Sequence, residues 1–275
     1  MNKEQAHEQY QKAITLTKAG CSDEAIVAFQ EAIRLDPDNE VYLDNFGLFY
    51  RRMDRNEEAI VLYQEAIRNN LSSVRMLKGL AISLHANDKY EEAIDVYKEV
   101  IQLTPQDVQI LNLLASAYTV VGDNEAAIKA YKQLIALRPD DYKAHDGLGL
   151  AYIRLGLTRQ SDYNLDAIIK SSEISISIMP NSPDAYSNLG TAYVLMNDLG
   201  KAHEQAEILA GLDEEQYDLL IDIINDQGLK NAIRKAEDER PIALQPEPPR
   251  DAYTASKPVP VATSSKKAWW QFGRR

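Results

Sequence analysis

One column of small residues, Ala13, Gly47, Ala81, Ala115, Gly149 and Gly190, recurs along the chain at spacings of 34, 34, 34, 34 and 41 residues. A fixed period of this size marks a stacked-repeat architecture, and it constrains the fold more than any local propensity. Three further columns keep the same register. The first is Ala25, Ala59, Ala93 and Ala127, resuming at Ala202. The second is Leu16, Tyr50, Leu84, Tyr118, Tyr152 and Tyr193, and the third is the rings Phe29, Tyr63, Tyr97 and Tyr131. Pro37, Pro105, Pro139 and Pro180 close most units.

Within a unit the apolar positions fall three and four apart, as in Ala13–Leu16 and Ala25–Phe29–Ala32. That is the spacing of one helix face. A short turn such as Ala19-Gly20-Cys21-Ser22 separates two such faces, so each unit holds a helix pair. Small residues let paired helices approach, and rings fill the space beside them. Proline ends the second helix, which it cannot continue. One pair cannot bury its apolar face alone, so neighbouring pairs must stack.

The blocks Asn45-Phe46-Gly47-Leu48-Phe49-Tyr50, Leu114-Ala115-Ser116-Ala117-Tyr118 and Asn188-Leu189-Gly190-Thr191-Ala192-Tyr193 resemble the first helix of a tetratricopeptide repeat. Glu24-Ala25-Ile26 with Ala32-Ile33-Arg34-Leu35-Asp36-Pro37 resembles the second, and Glu92-Ala93-Ile94 and Leu137-Arg138-Pro139 repeat it. The resemblance covers about residues 6–216 in six units, 6–39, 40–73, 74–107, 108–141, 142–182 and 183–216. It implies an all-α, right-handed superhelical solenoid of stacked antiparallel helix pairs, with a capping helix and a disordered C-terminal tail. The expected division is a solenoid over 1–236 and a Pro-rich linker with a tail motif over 237–275. The family resemblance specifies the fold and leaves the partner open.

The pattern breaks in several places. Unit two ends Ile67-Arg68-Asn69-Asn70-Leu71 without a proline. Unit five is 41 residues long, its extra seven lying between Gly156 and Ile168. Seven residues are two helical turns, so either both helices lengthen with their faces kept or a loop protrudes, where it could meet a partner. Ser171-Ser172-Glu173-Ile174-Ser175-Ile176-Ser177-Ile178 alternates like a strand, yet the flanking repeat helices argue for helix, the least stable of the array. Unit six has Ala206 where a ring stands elsewhere and Glu214 in place of proline. From Glu214 to Asn225, with Asp213 as N-cap, Tyr217, Leu220, Ile221 and Ile224 share a side, and a capping helix is expected. Gly228 is expected to break it, with a short helix from Leu229 to Glu237 following.

Six of the eleven prolines lie in the last 35 residues, which end Ser264-Ser265-Lys266-Lys267-Ala268-Trp269-Trp270-Gln271-Phe272-Gly273-Arg274-Arg275 and hold both tryptophans. From Glu237 on there are 7 basic and 5 acidic residues, so the body carries −14 of the net −12. General affinity of the body for nucleic acid or anionic lipid is not expected. Met1 to Glu8 is polar and lacks the apolar core of a signal peptide. A cytoplasmic location is therefore expected, with a membrane-peripheral position if the tail meets lipid. An exported form would require a cleaved leader. Cys21 is the single cysteine and is read as a small turn residue.

No constellation points to an enzyme, a metal or a cofactor. His7, His85, His145 and His203 lack paired metal spacing, and His145 falls in a packing column. The glycines of Asp146-Gly147-Leu148-Gly149 fall in small-residue columns with no strand before them, unlike a nucleotide loop. In the family that this chain resembles, first helices line a concave groove. Register places Asp44, Leu48, Arg51 and Arg52 there, then Arg75, Lys78, Ile82 and His85, then Gln109, Asn112, Ser116 and Thr119, then Lys143, Asp146, Leu150, Ile153 and Arg154. Arg51, Arg52, Arg75 and Lys78 would form a basic patch for an acidic or C-terminal carboxylate segment of another protein, or else a solvated charged edge. Chaperone-binding relatives use a lysine–asparagine clamp. Here Ile82, not asparagine, follows Lys78 by four residues, which disfavours chaperone tails.

The tail has three readings. Lys266, Lys267, Trp269, Trp270, Phe272, Arg274 and Arg275 would dock on a partner or another copy, rest weakly on anionic lipid, or do neither. The reading overall is a non-enzymatic scaffold or adaptor for complex assembly, with a membrane-tethered assembly factor as the alternative.

Overall fold

The structure is a computed structural model and describes residues 2–159 and 164–238. Six helix pairs follow one another: α1 (Asn2–Ala19) with α2 (Ser22–Leu35), α3 (Glu40–Arg52) with α4 (Asn56–Arg68), and α5 (Val74–Ala86) with α6 (Tyr90–Leu103). Next come α7 (Val108–Val121) with α8 (Asn124–Leu137), α9 (Tyr142–Arg159) with α10 (Leu165–Ile178), and α11 (Pro183–Leu195) with α12 (Leu199–Leu209). A single long helix, α13 (Glu214–Asp238), closes the array. There is no strand among the described residues, so the expected all-α solenoid is the fold. From α3 onward, first helices also touch the first helix of the next unit and so form an inner layer.

The ring column explains the stacking. Tyr63 is fully buried, and a Cβ on Gly47 of α3 or Gly79 of α5 would fall 2.4 and 2.3 Å from its ring. The ring is therefore wedged between two first helices, and only glycine leaves room on both sides. Tyr131 meets Gly147 of α9 in the same way, at 2.3 Å. Toward the N-terminus, rings pack on rings: Phe29 stacks on Phe46 at 5.0 Å and Tyr10 on Tyr42 at 4.7 Å. Burying such a side chain contributes about 1.5–3 kcal/mol.

Two more columns govern where helices begin and end. Asn39, Ser73, Asp107 and Asp141 each accept a backbone N–H of the first helix that follows, as N-caps do. Gly20, Asp54, Asp88 and Gly122 hold positive φ at the end of the first helix. The amide after Asp54 reaches back to Tyr50 and the one after Asp88 to Leu84, the paired bonds that terminate a helix in a left-handed residue. Asn70 does the same for α4, with Leu71 N–H on the Ala66 carbonyl, so unit two stops without proline.

The insertion in unit five resolves between the two expected outcomes. Gly156 occupies the stop position, yet α9 continues through it to Arg159 for 18 residues, against 13 for α3, α5 and α11. Its added turn packs Leu157 near Ile153 and Ile168 and pairs Arg159 with Glu125 of α8. The second helix, α10, keeps the ordinary 14 residues, so two-turn lengthening of both helices is not observed. Part of the insertion, residues 160–163, lies outside the described residues. Serine alternation in α10 yields to helix as expected from the flanking repeat helices, and the buried Ser171 and Ser172 satisfy their hydroxyls on the carbonyls of Ala167 and Ile168 four residues back.

The expected break at Gly228 does not occur, and α13 runs unbroken for 25 residues. Gly228 is half-buried against Leu199, and Asn231 bonds Asn197 at 2.5 Å, so packing on unit six carries the helix through its weak point. The helix also passes the expected solenoid boundary at 236. The tail motif lies outside the described residues.

A Gly79→Ala substitution should destabilise the chain by roughly 1–3 kcal/mol, because its methyl must displace a ring held on both sides. Urea denaturation checks this, and unchanged stability would mean that the Tyr63 ring is free to move.

Candidate functional site

The inner layer carries the candidate groove. Leu48, Ile82 and Leu150 recur half-buried along it, with Ser116 in the same register, an apolar stripe set among polar groups. The four cations of the expected basic patch divide into two kinds. Arg75 pairs with Asp44 at 3.5 Å, and Lys78 pairs with Asp107 at 2.7 Å. Each pair joins one unit to the next. Asp107 is also the N-cap of α7, and burial alone would raise its carboxyl. The Lys78 ammonium and the Ile110 amide outweigh burial and hold it below the usual carboxylate range. Among the described residues Arg51 and Arg52 enter no ion pair.

The hydroxyls of the ring column reach the same layer from behind. Tyr63 donates to Asp44 at 3.2 Å, and both Tyr63 and Tyr97 feel the charge of Arg51. Burial pushes both phenols well above their ordinary value. The Tyr97 hydroxyl, Arg51 Nε and His85 Nδ1 are buried without a hydrogen-bond partner. The His85 ring packs edge-on against Tyr97 at 6.0 Å and Tyr90 at 5.0 Å, and burial lowers its pKa, so it adds no cation to the groove at neutral pH.

The other expected groove residues take varied positions. Asn112 is half-buried and Gln109 exposed, while Thr119 is buried with its hydroxyl on the Ala115 carbonyl. Lys143 is exposed, its ammonium 6.0 Å from the Tyr142 ring. Ile153 is buried in the packing between α9 and α10. Arg154 donates to the Thr119 carbonyl at 2.7 Å, placing a cation near the C-terminus of α7 where the helix dipole favours it. His145 is buried and meets the Pro139 carbonyl at 3.0 Å, a packing role. Gly147 and Gly149 sit inside α9, against Tyr131 and Asn188.

Asp146, like Thr119 and Ile153, is buried rather than displayed in the groove, at only 5% exposed. Its carboxylate accepts from Ser182 at 2.7 Å, and its carbonyl accepts from Asn188 at 2.9 Å. One carboxylate oxygen has no partner. Burial raises the Asp146 pKa, against the easing effect of Ser175 and Ser182. In this unit Ser172 stands at the ring position, and the space holds this buried polar cluster instead. Beside it opens a concave cavity of about 470 Å³, lined by Tyr131, Asp146, Leu150, Met179, Pro183 and Asn188 among others. Sequence reasoning missed the tyrosine hydroxyls, the N-cap column and this polar junction. The recurring Asn39, Ser73, Asp107 and Asp141 were the signal for the second.

The buried acid should make stability fall as pH rises. A raised folded pKa contributes most below the unfolded value and loses that contribution as pH climbs through the folded one. Asp146→Asn should therefore equal or exceed wild type in urea denaturation at pH 7 and lose that advantage toward pH 4. A variant weaker at pH 7 than at pH 4, relative to wild type, would mean that the ionised carboxylate is net favourable.

Comparison with known proteins agrees with this geometry. Family models described as tetratricopeptide repeat or TPR repeat match residues 10–39, 46–108 and 121–156. A search of curated proteins found no match. A tetratricopeptide repeat protein from Parabacteroides merdae superposes with a TM-score of 0.64 at 19% identity, over 86% of this chain and 93% of its own. MamA from Desulfovibrio magneticus RS-1 superposes with a TM-score of 0.57 at 21% identity, over 64% of this chain and 96% of its own. At such identities the likeness is one of fold. The chain is an all-α helical solenoid whose units resemble tetratricopeptide repeats, the family models matching residues 10–39, 46–108 and 121–156.

Proposed function

We propose that the chain is a protein-interaction scaffold whose concave groove takes a segment of another protein, in aid of assembling a larger complex. The observation that carries this reading is the unsatisfied polar floor at Arg51, His85 and Tyr97. Buried polar groups without partners are costly in an isolated chain, and a bound segment with an acidic group would satisfy the Arg51 and Tyr97 donors. Arg51 and Arg52 supply the charge, since Arg75 and Lys78 are engaged between units. Leu48 and Ile82 supply apolar contact beside them. Lys266, Lys267, Trp269, Trp270, Phe272, Arg274 and Arg275 form a second motif. A lipid tether through that motif is the competing role, favoured by four cations flanking three large rings.

An array of acidic, neutral and basic peptides tests the groove. Acidic peptides should bind preferentially, and Arg51→Ala with Arg52→Ala should weaken them about tenfold, the scale of one charge-assisted hydrogen bond. Arg75→Ala with Lys78→Ala should chiefly lower thermal stability. Equal binding by wild type and the Arg51/Arg52 variant removes the groove from the argument. Co-sedimentation of the full chain with anionic but not neutral vesicles would replace the second protein motif by a membrane tether.

A further inference from the structure

We propose that the 470 Å³ cavity between α9 and α11 is the docking site of the chain's own C-terminal segment, residues 264–275, with a tryptophan as anchor. The proposal deepens the scaffold reading by naming one occupant for the far end of the groove.

The cavity has the chemistry an indole needs. Tyr131, Leu150, Met179 and Pro183 offer apolar and aromatic wall, and Met179 is 39% exposed although large and apolar. A thioether beside aromatic rings makes a favourable and adaptable contact. The volume lies within the range of small-ligand pockets and suits a large aromatic side chain. An indole N–H is a donor only. The cavity floor holds Asp146, nine-tenths buried, whose second carboxyl oxygen lies near Ser175, makes no ordinary hydrogen bond and can accept an N–H.

Charge selects this end of the groove over the other. The tail carries Lys266, Lys267, Arg274 and Arg275. Arg51 and Arg52 would repel it from units two and three. Asp146 and Asp184 line the cavity against one cation, Lys143. The rest of the chain cannot compete as a source of indole, because Trp269 and Trp270 are its only tryptophans.

Reach is sufficient. Gln216, near the start of α13, bonds Asp184 on the cavity wall at 2.8 Å. The helix is 25 residues, or about 37 Å, long, and its last residue is the start of the remaining chain. The 30 residues between Asp238 and Trp269 can extend to roughly 100 Å, more than twice that return path. A tethered segment that can span the distance binds at a high effective concentration, so a modest contact is enough to fill the cavity.

The two tryptophans make the test direct. Emission and acrylamide quenching of the full chain are compared with those of a synthetic peptide of residues 264–275, at several protein concentrations. The expected result is a blue-shifted emission and quenching reduced several-fold, both independent of concentration. Leu150→Lys with Met179→Lys should return both readouts to the peptide values while circular dichroism stays helical. If the double variant fails to fold, either single change is read in the same way. Arg51→Ala with Arg52→Ala should leave the emission unchanged, which separates this proposal from the groove reading. Peptide-like emission in the wild type, or a blue shift that survives the cavity variants, overturns the proposal. A shift that grows with concentration assigns the tail to a second copy, and one that needs anionic vesicles assigns it to lipid. Either outcome also overturns it.

Discussion

The stacking of the first five units depends on how closely consecutive first helices can approach while a ring stands between them. Tyr63 and Tyr131 set that separation, and the glycines facing them are the price of it. A β-carbon at Gly79 or Gly147 would meet ring atoms well inside contact distance, so size at these positions governs the spacing of the inner layer. The same rings carry hydroxyls through to the groove side, where Tyr63 meets Asp44 and Tyr97 lies under Arg51. Stacking thus delivers polar groups to the underside of the candidate groove. A residue selected for packing on the outer helices ends as a polar group beneath the inner surface.

Units five and six are joined on other terms. Ser172 replaces the ring, and the junction holds Asp146, Ser175, Ser182 and Asn188, all buried. Ser182 occupies the N-cap position of its unit but directs its hydroxyl to Asp146 rather than to a helix amide. Pro183, at the first helical position, has its φ pre-set for a helix start and so supports α11 where the side-chain cap is missing. Polar side chains here take over the bridging role that aromatic rings perform earlier in the chain.

Much of the architecture was legible because the constraints behind it are steric and periodic. Four columns in one register fixed the helix pairs, and the glycine pair at 147 and 149 read correctly as packing. The left-handed stops at Asp54, Asp88 and Asn70 were harder to see, since aspartate and asparagine also serve many other roles. Register assigned positions to the inner layer, and the chemistry at them was not legible. Arg75 and Lys78 look free in the sequence, and only their pairing with Asp44 and Asp107 across units shows them engaged. His85 reads as a polar groove residue, yet its ring packs on tyrosines contributed by its partner helix. Gly228 failed as a breaker because local propensity, near 1 kcal/mol, is small beside the contacts that hold α13 on unit six.

A stacked array behaves approximately as a one-dimensional chain of folded or unfolded elements, each coupled to its neighbours. At the polar junction after α10 the two kinds of contact meet: Ile153 and Ile168 pack on Ala192 across it, beside the buried Asp146, Ser175, Ser182 and Asn188. The ring-wedged junctions hold by shape, which is indifferent to acidity. Here part of the coupling between neighbours runs through a carboxyl group whose burial raises its pKa, so the bond between these two repeats follows the protonation of one side chain.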